Sequence, residues 1–426
     1  MTDCKFAGDA EVIDFARRHS GQFEAGATLN VEEIGDGNIN FVFRVFEPGG
    51  ASVIIKQALP YVRIIGEGWP LSQDRIRIEA EALMLEADYC PDLVPKVYHF
   101  DADRSAIVME DIGAYENLRH ALVARARLPH LADQLGRFCA DTLFHTSDLY
   151  LDAHRKKEMV ARFINPDLCK ITEDLFFWDP YCDHERNNIN PLIHSEAEAL
   201  WSDEPLKLEV ARLKHRFLCA AEALVHGDLH SGSVFANAEG TRVIDPEFAY
   251  FGPIGFDVGS LIGNLLLNYA GQSQLPGDDA ERQAYREWLL QAVATFWNTF
   301  SGRFLGHMEA HTADPSLDLP AYREALLADL LADSLGYAGT ELIRRTIGLA
   351  HVLDLEAIED AQQRAQAETL ALRLGRTLIL ERRAFDSIEA VLERIREWVT
   401  RNASPVTRFR CASLRSAASY VSSPAL

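Results

Sequence analysis

The chain has 426 residues, with 42 Lys and Arg against 64 Asp and Glu and a formal net charge of −22. Hydrophobic residues make up 48% and charged residues 25%, which excludes collagen-like, mucin-like and wholly disordered chains and leaves room for two or three lobes with real cores. The acidic balance argues against nonspecific binding to nucleic acid or to anionic membranes, which needs a basic surface, but not against a phosphorylated ligand held by a few local cations and a metal.

Asp9–His19 reads as a short helix with Val12, Ile13, Phe15 and Ala16 as its apolar face. From Thr28 the pattern turns β-rich. Leu29–Ile34, Phe41–Phe46 and Ser52–Ala58 form a meander, punctuated by Gly35-Asp36-Gly37 and Glu47-Pro48-Gly49-Gly50. Asp74–Ala87 is helical, with Ile76, Ala80, Leu83 and Ala87 on one face, and Val94–Phe100 and Ser105–Met109 return to strand. Residues 20–112 therefore read as a small, mostly antiparallel sheet carrying one long helix. Beyond Gly113, Arg119–Arg127, His130–His145 and Leu206–Ala223 have helical spacing, while 148–205, rich in Asp, Asn, Pro and aromatics, reads as short helices and loops. Leu224–His226, Ser233–Ala236 and Arg242–Ile244 are short strands around a polar loop, and helices are expected from Gly255 almost to Thr400. The division is a sheet-bearing lobe over 1–112, a helical lobe over 113–402 and a flexible tail over 403–426.

Seven cysteines at wide spacings, with no CxxC, point away from a disulfide framework or a structural zinc and fit a reducing cytosol. The first eighteen residues carry early acids and no apolar core, so they do not read as a signal peptide. Leu261–Ala270 is broken by Gly263, Asn264 and Asn268 and reads as a buried helix, not a membrane span.

The sharpest chemical signal is His226-Gly227-Asp228-Leu229-His230, followed after another apolar strand by Ile244-Asp245-Pro246-Glu247. Strand alternation would point Asp245 and Glu247 the same way. Two converging carboxylates repel unless a cation lies between them, and Mg²⁺ prefers such hard oxygens together with phosphate oxygens. Asp228 lacks a twin and is free to accept a proton from a hydroxyl. Taken singly, such acids are usually solvated loop residues; in this spacing they read as a site. A second signal lies upstream. Gly35–Phe41 is a glycine-rich turn between strands, which is neither a Rossmann fingerprint nor a Walker loop, because a strand follows it and no Gly-Lys-Ser/Thr does. Lys56 closes the next apolar strand. It is either an edge lysine or a phosphate partner, with Glu79 or Glu81 from the following helix as its counter-ion. Arg344-Arg345 lies among Leu342, Ile343 and Ile347; a buried guanidinium needs a partner, and ribose hydroxyls or a phosphoryl group would supply one.

A glycine-rich hairpin, a strand lysine, a helix acid, a loop aspartate and a metal-binding acid occur in the order of the bilobal protein-kinase-like fold. The segments 35–43, 66–83, 226–235, 245–259 and 343–351 resemble the S-methyl-5-thioribose kinase family, within the aminoglycoside phosphotransferase fold, over residues from about Asp9 to about 400. The resemblance implies an α+β fold and ATP-dependent phosphorylation of the anomeric 1-hydroxyl of methylthioribose in methionine salvage. It places Asn40 and Lys56 on the ATP phosphates, Glu79 on Lys56, and Glu110, Asp111 and Ile112 at the adenine hinge. Asp228 would be the catalytic base, contacting the sugar. Asp245, Pro246 and Glu247 would belong to the nucleotide site, with Asp245 and Glu247 holding Mg²⁺, and Arg344 and Arg345 would contact the sugar and the transferring phosphate. Asp257 would brace the catalytic loop. The resemblance also implies a cytoplasmic homodimer acting on a small sugar.

Two departures from kinases at large matter. Ser233 stands where an Asn usually binds metal, and Asp-Pro-Glu replaces Asp-Phe-Gly. Rival readings are an aminoglycoside or choline kinase, disfavoured because cationic substrates avoid an arginine pair, and a noncatalytic nucleotide-binding scaffold, disfavoured because every chemical position is filled. A protein kinase lacks support: Gly227 stands where its Arg would be.

Overall fold

In the computed structural model of the protein the described residues are 5–35, 39–62 and 66–402; the expected tail at 403–426 and the tip of the glycine-rich hairpin at 36–38 lie outside them. The meander forms, and it extends into a five-stranded antiparallel sheet. The spatial order is Asn30–Glu33, Phe41–Phe46, Ser52–Gln57, Ala106–Glu110 and Val97–Asp101. Successive side chains of a strand alternate between faces. Val53 and Ile55 pack on Val12, Phe15 and Ala16 of the helix Asp9–His19. Ile54 and Lys56 therefore face the other side, where Ile76, Ala80 and Leu83 of the helix Asp74–Tyr89 join Ile107 and Met109 in the main core. Each such fully buried Ile or Leu side chain stabilises the fold by about 1.5–3 kcal/mol relative to exposure. That register, Val42 opposite Lys56 opposite Ile107, fixes where the one lysine of the strand emerges.

The rest of the chain is mainly helical. Leu131–His145 runs along Asp279–His311, and the helix Ile254–Gly271 lies between its neighbours with all 18 of its residues buried. The asparagines that interrupt its apolar run are satisfied inside: Asn268 Nδ2 donates to Asp354 Oδ1 (2.7 Å) and Asn264 Nδ2 to Ser260 O (2.9 Å). Among the described residues no helix is long and apolar enough to cross a membrane. The five described cysteines are free.

Three differences from the sequence reading have simple causes. Residues 148–205 contain well-formed helices at Ala153–Arg162, Pro166–Phe177 and His194–Trp201. Their polar residues are terminators rather than loop: the Asp152 carboxylate accepts from the amides of His154 and Arg155, and Pro166 opens its helix. The helix expected over Leu206–Ala223 is Glu204–Cys219, because Ala223 already begins a strand. Finally, Glu116–Asn117, Tyr250–Gly252 and the pair Tyr61–Val62 with Gly66–Pro70 are strands too short to show a period of two.

Candidate active site

The strand Ala223–Val225 delivers the chain into the loop that carries Asp228, which is held from several directions. Gly227 has φ 83°, a left-handed conformation, and a Cβ there would lie 2.3 Å from the carbonyl oxygen of Phe248. The buried Asp257 carboxylate accepts from the amides of His226 (2.6 Å) and Gly227 (3.1 Å). His226 Nε2 donates to Ile244 O (2.9 Å), which ties this loop to the residue before Asp245. Ser233 is spent on the loop itself: its hydroxyl donates to the carbonyl oxygens of Asp228 (3.0 Å) and His230 (2.9 Å).

Asp228 remains 29% exposed at the end of this frame. Its Oδ1 lies 3.6 Å from Arg344 Nη2 and its Oδ2 lies 3.3 Å from His230 Nε2. Burial works to raise this carboxyl, but His230, Arg344 and Arg345 more than offset it and hold Asp228 well below the usual carboxylate range. Burial also pushes His230 down, so its imidazole is neutral. The amides of Gly232 (2.9 Å) and Ser233 (3.1 Å) donate to its Nδ1, which leaves the proton on Nε2, aimed at Asp228.

The acids of Asp245-Pro246-Glu247 converge by a different route from strand alternation. The strand stops at Val243, Asp245 turns left-handed at φ 72°, and a single 3₁₀ turn, Pro246–Phe248, carries Glu247 back toward it. Carboxylate oxygens of Glu79, Asp245 and Glu247 all lie within 4.8 Å of one another. Lys56 sits among these acids: its Nζ is 2.7 Å from Glu79 Oε2 and is also paired with Asp245. Burial would lower Lys56, but Asp245, Glu79 and Glu247 raise it above its ordinary value; burial in turn pushes Glu247 up. Glu81 points elsewhere, to Arg77 and Arg162. Lys56 takes Asp245 Oδ1 and Asn40 takes Glu247 Oε2, so the second carboxylate oxygens of the 42%-exposed Asp245 and the buried Glu247 are the hard-oxygen donors suited to a divalent cation such as Mg²⁺.

Asn40 is buried behind this cluster. Its Nδ2 donates to Glu247 Oε2 (2.7 Å) and its Oδ1 accepts from Arg75 Nε (3.0 Å). Arg75 escaped the sequence reading. It is buried on the N-lobe helix, lies 3.6 Å from Glu247, and donates to the carbonyls of Leu59 (2.9 Å) and Ser72 (2.6 Å). Where the adenine hinge was expected, the side chains of Glu110 and Asp111 and the carbonyl of Ile112 have partners within the protein. Glu110 Oε2 accepts from Lys96 N (3.1 Å), Asp111 accepts from Arg44 Nε (2.6 Å) and Gly113 N (2.8 Å), and Ile112 O accepts from Tyr115 N (2.9 Å). Pro246 is buried at the start of its turn.

Arg344 and Arg345 end the helix Pro320–Ile347 and are 6% and 7% exposed. The partner that their burial demanded is not left to a substrate. Glu341, fully buried, accepts from both Nε atoms, at 2.9 Å from Arg345. The signal was in the sequence, as an acid three and four residues before two arginines on one helix.

The phosphotransferase enzyme family profile matches residues 30–296. Methylthioribose kinase of Yersinia pseudotuberculosis serotype IB is 48% identical over 403 residues, covering 94% of this chain and 98% of that protein. Methylthioribose kinase of Pectobacterium atrosepticum is 48% identical over 390 residues, covering 91% and 97%. A structure of glucosamine kinase with glucosamine, ADP and inorganic phosphate is 14% identical, with a TM-score of 0.43 over 88% of this chain and 84% of that one. Identity of 48% to methylthioribose kinases over more than nine-tenths of both chains means that the chain belongs to the methylthioribose kinase family of phosphotransferase enzymes.

Proposed function

We propose that the protein transfers the γ-phosphate of ATP to the anomeric 1-hydroxyl of S-methyl-5-thioribose, giving S-methyl-5-thioribose 1-phosphate. The observation that carries this reading is the meeting of Asp228 with Arg344 at 3.6 Å, on a loop that His226 ties to the residue before Asp245 of the Lys56–Glu79–Asp245–Glu247 cluster, in a chain 48% identical to methylthioribose kinases. Lys56 would face the phosphates, with Asn40 bracing Glu247 behind it rather than touching them through its side chain, and the remaining backbone groups of Glu110, Asp111 and Ile112 would face the adenine. Asp245 and Glu247 would hold Mg²⁺, which supplies charge neutralisation of the phosphate tail. Asp228 orients the sugar hydroxyl. Its oxygen bonds to the γ-phosphorus as the bond to the leaving ADP oxygen breaks, and Asp228 takes the hydroxyl proton. Its main work is orientation, with proton transfer late, as suits a loose transition state. Arg344 and Arg345 hold the sugar and offset charge on the transferring group.

A phosphate-transfer panel of methylthioribose, ribose, choline and kanamycin with Mg·ATP tests the reading. Turnover of methylthioribose far above the others is expected, and preferential turnover of choline or kanamycin would overturn it. Asp228→Ala should abolish transfer while ATP binding, read by calorimetry, stays largely intact. The family also leads us to expect a cytosolic homodimer, which light scattering and cell fractionation check.

A further inference from the structure

We infer that Glu341 is the positioning residue of the acceptor site: one buried carboxylate clamps the Nε edges of Arg344 and Arg345 together, so that their remaining N–H groups are presented to the acceptor as a preset pair. This deepens the sugar assignment above and rests on it.

Two guanidinium groups on adjacent residues repel, and free arginines would splay apart. Here both are drawn onto Glu341, whose Oε2 takes Arg344 Nε while Oε1 takes Arg345 Nε (2.9 Å) and Asn264 Nδ2 (3.0 Å). The carboxylate is fully buried, so its orientation is fixed, and burial, which works to raise it, is outweighed by the two arginines: its pKa is held at about 2 and it stays ionised. Arg344 is also fixed in its plane, because its Cζ lies 3.6 Å from the centroid of the Phe176 ring. A planar fork pinned at Nε and stacked on one face keeps only its outer edge for other partners, and that edge approaches Asp228 at 3.6 Å. Asn264 extends the clamp to the catalytic loop: its Oδ1 accepts from Ser231 Oγ (3.1 Å) and from Arg119 Nη2 (3.3 Å).

Steady-state kinetics on Glu341→Gln and Glu341→Asp, with methylthioribose and ATP varied separately, test the clamp. Glu341→Gln loses the charge and can accept from only one Nε, so the KM for the sugar should rise about tenfold or more while the KM for ATP changes less than about twofold. Glu341→Asp, which keeps the charge, should restore part of the sugar affinity. Parallel changes in both KM values, or none in a folded variant, would overturn the inference and leave Glu341 a stabilising residue only. If Glu341→Gln fails to fold, Asn264→Asp, which replaces the donor to Glu341 with a repelling carboxylate, is read by the same ratio of KM values. Wild-type turnover separates the two claims. Should the wild type use another acceptor of the panel, the methylthioribose reading fails, and the clamp is still judged by the KM ratio for that acceptor.

Discussion

A methyl group on Gly227 would meet the carbonyl oxygen of Phe248 at 2.3 Å, and the φ of 83° is one that side-chain-bearing residues rarely adopt. Phe248 closes the turn that carries Glu247, so the glycine brings the Asp228 loop and the Asp245–Glu247 loop into van der Waals contact. Gly227→Ala must push them apart. A displacement near 1 Å at a reacting centre costs about 100-fold in rate; kcat should fall by that order while far-ultraviolet circular dichroism stays native. Near-normal turnover would mean that the two loops tolerate separation. The same residues set the pH profile. Asp228 lies well below the ordinary carboxylate range and His230 below the ordinary imidazole range, so the former is ionised and the latter neutral at pH ~7. Log kcat should therefore be flat through pH ~6.5, the usual imidazole range, with the acid limb further down. An inflection at ~6.5 would show His230 gaining a proton in the working enzyme.

The helix Ile254–Gly271 carries Gly255, Gly259 and Gly263 at intervals of four, on the face that meets Pro320–Ile347. A Cβ on Gly259 would lie 2.4 Å from Ser334 O, and one on Gly263 would lie 2.9 Å from Ala338 O. These three positions set how deeply the second helix sits, and so the height at which Glu341, Arg344 and Arg345 reach the loop that carries Asp228. Gly259→Ala should cost about 1–3 kcal/mol by overpacking. Gly302, in the helix Asp279–His311, has open space where its Cβ would go, so Gly302→Ala should gain about 0.5–1 kcal/mol through helix propensity. Urea melts of both variants check the opposite signs; two equal effects would mean that propensity alone governs these glycines. This face illustrates what a sequence discloses. The meander, the helix Asp74–Tyr89 and the buried Leu261–Ala270 were legible because their apolar periods are long, and the Gly-Asp-Leu-His and Asp-Pro-Glu segments because few other roles need that spacing. The means of convergence was hidden. A left-handed Asp245 followed by a 3₁₀ turn leaves no periodic trace, and whether Glu341 or a ligand satisfies two arginines depends on burial that spacing does not encode.

At the scale of the molecule, the sheet-bearing and helical parts meet along a polar seam. Lys56 pairs with Asp245, Asn40 donates to Glu247, Ser72 N donates to Asp167 (2.9 Å), and Arg162 grips Glu81 at 2.6 and 2.8 Å. Glu86, on the same helix as Glu79 and Glu81, is the exception. It is buried, its Oε2 has no hydrogen-bond partner among the described residues, and burial, with Asp257 and Glu79 adding to it, pushes it well above the ordinary value of 4.5. The consequence has a definite sign. In the unfolded chain Glu86 loses its proton near pH 4.5, whereas the folded protein retains it to higher pH. Between those two values the folded state binds more protons, so the contribution of this group to stability is complete below 4.5 and is lost as pH rises, at up to about 1.4 kcal/mol per pH unit. Glu86→Gln is neutral at every pH. Its melting temperature relative to the wild type should therefore climb from pH ~4.5 to pH ~8, whatever the offset at the acid end. Melts of both proteins across that range decide the matter: a difference independent of pH would place an ordinary, solvated carboxyl at the seam, and a declining one would require a cation beside Glu86.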